Sequence, residues 1–177
     1  RPVCLRPAEV DSPKRIVIAS GNRGKVRELI ALLRDWPVEL STQFDLGVPE
    51  AQESGATFLE NALLKARHAA AATGLPAIAD DSGIEVDVLG GEPGIRSARF
   101  AGAGASDEQN VRMLLERVRA TGAINPRARF QCLMVFTAHA DDPTPVVAQG
   151  TWEGHLVHEP RGKNGFGYDP IFFVPAH

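Results

Sequence analysis

Arg15-Ile16-Val17-Ile18-Ala19-Ser20-Gly21-Asn22-Arg23-Gly24-Lys25 opens the ordered part of the chain, and Val26 to Trp36 follow it. The Ile and Val run reads as a buried strand, and two glycines interrupt it. Val26, Leu29, Ile30, Leu33 and Trp36 then recur at helical spacing. A strand that turns through glycine straight into a helix is the opening of an α/β unit. It also sets a helix N-terminus at the strand's end, where N–H groups attract phosphate and glycine lets the backbone come close. Ser20, Gly21, Asn22, Arg23, Gly24 and Lys25 are therefore candidate phosphate-binding residues, Asn22 as an amide donor and Lys25 as a charge. The loop is not a Walker A motif, because Ala19 and Val26 stand where that pattern needs Gly and Ser or Thr. An ordinary strand-to-helix turn with a solvated Lys25 accounts for the same residues.

Outward from this unit, strands and helices alternate. Val38 to Thr42 reads as a second strand and Glu50 to Gly55 as a polar loop. Thr57 and Glu60 have capping-box spacing at the head of a helix that runs to about Thr73, where Gly74-Leu75-Pro76 stops it. Ala77 to Ala79 and Ile84 to Leu89 read as strands on either side of an acidic turn. Residues 90–104 contain five glycines and one proline and read as a loop. Ser106 and Gln109 form a second capping box, opening a helix through about Ala120. The remainder is strand-rich, at Arg129 to Ala138, Pro145 to Glu153 and Tyr168 to Val174. The pattern predicts an α/β domain with a mixed sheet. A leader is expected over 1–14 and one domain over 15–177.

A net charge of −3 gives no broad reason to bind nucleic acid polymers or anionic membranes, so any phosphate-binding charge must be local. No stretch approaches the roughly 20 apolar residues of a membrane span, and the leader lacks an apolar signal-peptide core. Cys4 and Cys132 are too few for a disulfide framework, which points to a cytoplasmic setting.

Three segments carry potential chemistry besides the first loop. Asp80 and Asp81, before Ser82-Gly83, are adjacent carboxylates, and such hard oxygen ligands suit Mg²⁺; a solvated acidic turn is the plainer reading. Glu53 lies in the loop before the Thr57 cap, free to reach a metal, while Asn61, Lys65 and His68 share one helix face on which Lys65 can meet an anion. Gly162-Lys163-Asn164-Gly165-Phe166-Gly167-Tyr168-Asp169-Pro170 sets aromatic faces among glycines, suited to stacking on a nucleobase, with Asp169 as an acceptor. The same run also reads as a hairpin whose aromatics close the core, and Phe172 and Phe173 are assigned to that core. His155 and His158 lack a third ligand for zinc. Trp36 and Trp152 read as packing residues.

Together these runs resemble the inosine triphosphate pyrophosphatase family, especially its bacterial members: SGNRGKVREL at 20–29, ESGATFLENALLKA at 53–66, ADDSGIEVDVLGGEPGIRSARFAG at 79–102, FQC at 130–132 and GFGYDPIFF at 165–173. The resemblance implies an elongated mixed α/β fold, two lobes around a central nucleotide cleft, and a homodimer. It implies Mg²⁺-dependent hydrolysis of ITP, dITP and XTP to the monophosphate and pyrophosphate. Ser20 to Lys25 then match the triphosphate-binding segment and Lys65 a basic residue at the phosphates. Glu53 and Asp81 match metal-binding acids, with Asp81 also the family's proposed proton acceptor; in the mechanism expected for this chain Asp80 serves as support or as the actual base. Ser82 matches a substrate contact, and Phe166, Gly167, Tyr168 and Asp169 match the nucleotide loop, Phe166 under the base. The family continues past the position of Val174 into a helical segment with a base-contacting Ser-His-Arg motif, which the residues through His177 do not include. Two other readings share parts of this pattern: a Maf-like pyrophosphatase of modified or pyrimidine nucleotides, and a non-catalytic nucleotide-binding module.

Overall fold

Val17 and Ile18 are fully buried at the end of β1 (Lys14–Ile18), and the sheet grows on both sides of them. The computed structural model describes residues 14–162 and 165–175. The leader expected over 1–14 lies outside the described residues except for Lys14, and so do Lys163 and Asn164 of the glycine-rich run. On one side β1 pairs in parallel with β2 (Val38–Thr42), and on the other with β3 (Ala77–Val86). β4 (Arg127–Thr137), β5 (Val146–Leu156) and β6 (Phe172–Phe173) follow as antiparallel neighbours. The result is a mixed six-stranded sheet of order β2-β1-β3-β4-β5-β6, as the alternation of elements predicts.

Among the described residues, three α-helices cover this sheet. α1 (Arg23–Leu33) seats Val26 and Leu29 on Ile18 with Leu40, Ile78 and Met134 nearby. α2 (Phe58–Thr73) presents Ala62, Ala66, Ala69 and Ala70 to Val17, Ala19, Ala77, Ala79 and Val135. Such short side chains let helix and sheet approach closely. Its N-terminus carries the expected capping box, Thr57 with Glu60, and Gly74 ends it in the left-handed region at φ 68°. α3 (Asp107–Ala120) has the Ser106–Gln109 box and packs Leu114, Leu115 and Val118 into a separate core with Ile84, Val86, Ala128, Leu156 and Ile171. β3 and β4 thus pass through two cores, one under α2 and one under α3, and the acidic pair lies between them.

Several expectations change at this level. The acidic run is not a turn: Asp80, Asp81, Ser82 and Gly83 face Met134, Leu133, Cys132 and Gln131 of β4 within one unbroken strand. Asp-Asp-Ser-Gly favours turns by composition, but the antiparallel ladder to β4 overrides that local preference. Gly83 serves the strand differently, since a Cβ there would collide with the Gly94 carbonyl and the Ser97 hydroxyl. β3 ends at Val86, and Asp87–Leu89 is a 3₁₀ turn. The glycine-rich loop holds a 3₁₀ segment, Gly94–Arg99, preceded by a cis Glu92–Pro93 bond. Of the expected strand 168–174 only Phe172–Phe173 pairs, after a 3₁₀ turn at Asp169–Ile171. Phe172 packs edge-on against Phe130 and Trp152, whereas Phe173 turns outward and is 47% exposed. Trp36 lies beyond the end of α1 and is 64% exposed, so the buried stripe of α1 is narrower than its spacing suggests.

Candidate active site

Successive side chains of a strand point to opposite faces, so Asp80 and Asp81 leave β3 in opposite directions. Asp81 meets α2, where Asn61 Nδ2 donates to its Oδ2 at 3.1 Å and Lys65 Nζ lies 3.4 Å from Oδ1. Asp80 meets the head of α1, where Lys25 Nζ lies 2.6 Å from Oδ2, and the Ser82 hydroxyl donates to the same oxygen at 2.9 Å. Both carboxylates are buried, each with its own lysine, and the pleat keeps them apart. Lys25 is thereby turned inward instead of solvated.

Glu53 completes the cluster from the loop before α2. Lys65 Nζ lies 2.8 Å from its Oε1 and the Arg99 guanidinium donates to Oε2 at 3.0 Å. The acid expected to be free is held at both oxygens. The helix face expected from spacing is the one that holds this loop. Asn61 Oδ1 accepts from the Gly55 N–H at 2.8 Å, Lys65 takes Glu53, and the His68 ring meets the Pro49 carbonyl at 2.9 Å. Glu60 stays in its capping role, accepting from the Ala56 and Thr57 N–H groups.

Burial and charge set the protonation of this cluster. Burial pushes the Asp81 carboxyl above its ordinary value, although Lys65 and Asn61 work against the rise. Burial acts on Glu53 in the same sense, but Lys65 and Arg99 outweigh it and hold that carboxyl below its ordinary value. Burial works to lower the Lys65 ammonium, but Asp81 and Glu53 overcome it and hold Lys65 more firmly protonated.

The Ser20–Lys25 loop lies beside these groups through Lys25. Its Asn22 side chain caps α1, accepting from the Gly24 and Lys25 N–H groups at 2.8 and 3.2 Å, so those two donors are not free as the sequence reading supposed. The Ser20 hydroxyl accepts from the Asn22 N–H. Phe166 crosses to this loop: a Cβ on Gly24 would stand 2.8 Å from its ring. The loop that carries Phe166 is fastened around it. Asp169 accepts from the Phe166 N–H at 3.0 Å, Asp107 from the Gly167 N–H at 2.7 Å, and the Tyr168 hydroxyl donates to the Ser97 carbonyl at 2.8 Å. Tyr168 is buried, which pushes its phenol above its ordinary value.

The donor set fits a divalent cation. Glu53 and Asp81 both lie within 3.4 Å of one ammonium, so a single positive charge already sits between them. Asp80 Oδ1 is buried with no hydrogen-bond partner among the described residues. Also among the described residues, no three His, Cys, Asp or Glu side chains converge into a ready cage. Mg²⁺ needs no such cage when one or two carboxylates and substrate phosphates complete its shell.

Arg99 and Asp107 went unassigned in the sequence. Arg99 lies in the quoted Gly-Ile-Arg-Ser-Ala-Arg-Phe run, where nothing in the pattern separates it from Arg96, which pairs with Glu92 on the surface. Asp107 reads as an ordinary first-turn acid of a helix.

Residues 16–177 match the sequence model of the Ham1 family. The dITP/XTP pyrophosphatase of Pectobacterium atrosepticum is 58% identical over 162 residues, covering 92% of this chain and 82% of that protein. The dITP/XTP pyrophosphatase of Escherichia coli K12 is 56% identical over 163 residues, covering 92% and 83%. The solved structure of a HAM1 protein from Coxiella burnetii superposes with a TM-score of 0.85 at 46% identity, over 93% of this chain and 83% of that one.

Proposed function

Since the chain belongs to the Ham1 family, we propose that it hydrolyses non-standard purine nucleoside triphosphates (ITP, dITP and XTP) to the monophosphate and pyrophosphate. The observation that carries this reading is the opposed acid pair of β3, each acid bonded to its own lysine, with Lys25 rising from the glycine loop and Lys65 from α2.

Asp81 takes the proton of the attacking water as that water approaches the α-phosphorus. Burial raises its affinity for a proton in the metal-free protein, and a cation at the same carboxylate would act in the opposite sense, so its fitness for the task rests on its placement between Lys65 and Asn61. Lys25 and Lys65 stabilise the charge that develops on the phosphate oxygens, in a cleft whose groups are already positioned. Asp80 supports the reaction by holding Lys25 on the opposite face of β3 from Asp81. Ser82 is tied to that same carboxylate. Mg²⁺ would be held by Glu53 and Asp81 with the substrate phosphates, and when bound supplies charge neutralisation at those phosphates. Phe166 offers its ring to the base, and Gly167, Tyr168 and Asp169 keep that ring in place.

The protein acts as a homodimer in this reading, supported by the apolar residues Val146 and Val147 that β5 leaves exposed. Light scattering on the purified protein measures the assembly. Among the described residues no helix is long and apolar enough to cross a membrane, and Cys132 is a free thiol, which accord with a cytoplasmic enzyme.

The deciding experiment offers ITP, dITP, XTP, ATP, GTP and dTTP with Mg²⁺ and assays pyrophosphate and orthophosphate separately. Pyrophosphate from the first three alone supports the reading. Pyrophosphate from all six keeps the chemistry and means that the residues present do not select the base. Preference for dTTP favours a Maf-like activity, and binding with no product favours a non-catalytic module.

A further inference from the structure

We propose that Arg99 is a switch between the divalent cation and the nucleotide: it neutralises Glu53 in the free protein, yields it to the cation, and then pairs with the substrate triphosphate. The inference rests on the reading of Glu53 as a cation ligand.

The argument begins with charge. Glu53, Asp80 and Asp81 carry three negative charges, and Lys25, Lys65 and Arg99 pair with them as three positive ones. The cluster is neutral without substrate. A cation that binds Glu53 brings its charge against both partners, Lys65 on one carboxylate oxygen and Arg99 on the other, and that repulsion favours release of the more weakly held one. Lys65 is the harder to displace. Its side chain is 15% exposed, and it is bonded to Asp81 as well as to Glu53. Arg99 is 38% exposed, and Glu53 is its only partner among the described residues, through one nitrogen at 3.0 Å. Arg99 is therefore the partner that leaves.

The position of Arg99 says where it goes next. It ends the Gly94–Arg99 segment, which packs on β3 through Gly83 and Ser97, whereas Lys65 comes from α2. The two reach the Glu53 carboxylate from different elements, one on each oxygen, with Lys25 on the opposite face of β3 at Asp80. Once released, its planar fork is free to bind phosphate oxygens bidentately, a geometry an ammonium does not offer. Cation and triphosphate then favour each other's binding through Arg99, since the first removes the carboxylate that competes with the second.

Arg99→Gln and Arg99→Lys test this. Mn²⁺ binding to nucleotide-free protein is read by electron paramagnetic resonance, kinetics with dITP by pyrophosphate release, and folding by thermal melting. Arg99→Gln should bind Mn²⁺ about fivefold tighter, because a competing charge has gone, and raise KM for dITP about tenfold. Arg99→Lys should restore the wild-type Mn²⁺ affinity while KM stays raised. A purely structural role would weaken both ligands together and lower the melting temperature, and that result overturns the proposal. So does Arg99→Gln with unchanged Mn²⁺ affinity or unchanged KM. Glu53→Gln separates this failure from that of the underlying reading: if it binds Mn²⁺ as the wild type does, Glu53 is not a ligand at all.

Discussion

Asp81 is the carboxyl of the site that burial drives above its ordinary value, and this has consequences for both stability and rate. An acid whose folded pKa is raised binds protons more tightly folded than unfolded, so its ionised form opposes folding, fully so once the pH exceeds the folded pKa. Asp81→Asn removes that cost while leaving Lys65 bonded to Glu53. At pH 7.5 the variant should melt higher, by roughly 2–4 °C for each kcal/mol relieved, while turnover falls by about 10²- to 10⁴-fold. Thermal melts and pyrophosphate release on the same preparations check this, and retained turnover would remove Asp81 from the mechanism. The same shift can be read directly in the metal-free protein, where the Asp81 carboxyl should titrate above the roughly pH 4 of an ordinary carboxylate in a ¹³C NMR titration. Lys65→Gln removes the main charge that opposes the rise, and should move that titration up by about one further unit besides lowering the rate. A titration that moves down would mean another group controls it.

Two glycines separate packing from function at the level of elements. Gly83 on β3 lies against backbone, so Gly83→Ala forces the 94–99 segment away from the strand and should lower stability by about 1–3 kcal/mol, measured by urea unfolding. Gly24 in the first turn of α1 lies against the Phe166 ring, and a Cβ there would also stand 3.0 Å from the Asn22 Oδ1 that caps the helix. Gly24→Ala should therefore change stability by no more than about 1 kcal/mol, the crowded cap offsetting the gain in helix propensity, yet raise KM several-fold because the aromatic has lost its seat. Equal effects on both quantities would contradict this division. These contrasts also mark what the sequence could and could not disclose. α2 and α3 were legible because Thr57–Glu60 and Ser106–Gln109 are local signals that the folded chain leaves intact. The Asn61, Lys65 and His68 face was legible because a helix fixes which residues align. The acidic run was misread because its local composition favours a turn, and only β4, some fifty residues later, makes it a strand. The pairing of Glu53 with Arg99 was illegible for a related reason. It joins an irregular loop to a 3₁₀ segment 46 positions away, and neither has a periodicity that orients its side chains.

The site lies between the two larger hydrophobic cores, which share strands, and a smaller third core lies under α1. The core under α2 and the core under α3 have no buried residue in common, yet β3 and β4 contribute to both. Ala77, Ala79 and Val135 lie in the first, and Ile84, Val86 and Ala128 in the second. Opening the α3 core alone would strip the second half of β3 of its cover while its ladder to β4 stayed paired, exposing Ile84 and Val86 for little gain in chain entropy. The continuous β3–β4–β5 register therefore couples the two halves, and the chain should unfold in one step despite its separate cores. Native-state hydrogen exchange in rising urea tests this. The amides of Ala66 and Ala69 in α2, and of Leu114 and Val118 in α3, should converge on one opening free energy with one urea slope. Separate free energies would mean that the α3 half opens by itself. Asp107 and Ser97, which hold the Phe166 loop from that half, would then release the loop each time it opened, and base stacking would depend on the stability of α3 rather than on that of the whole fold.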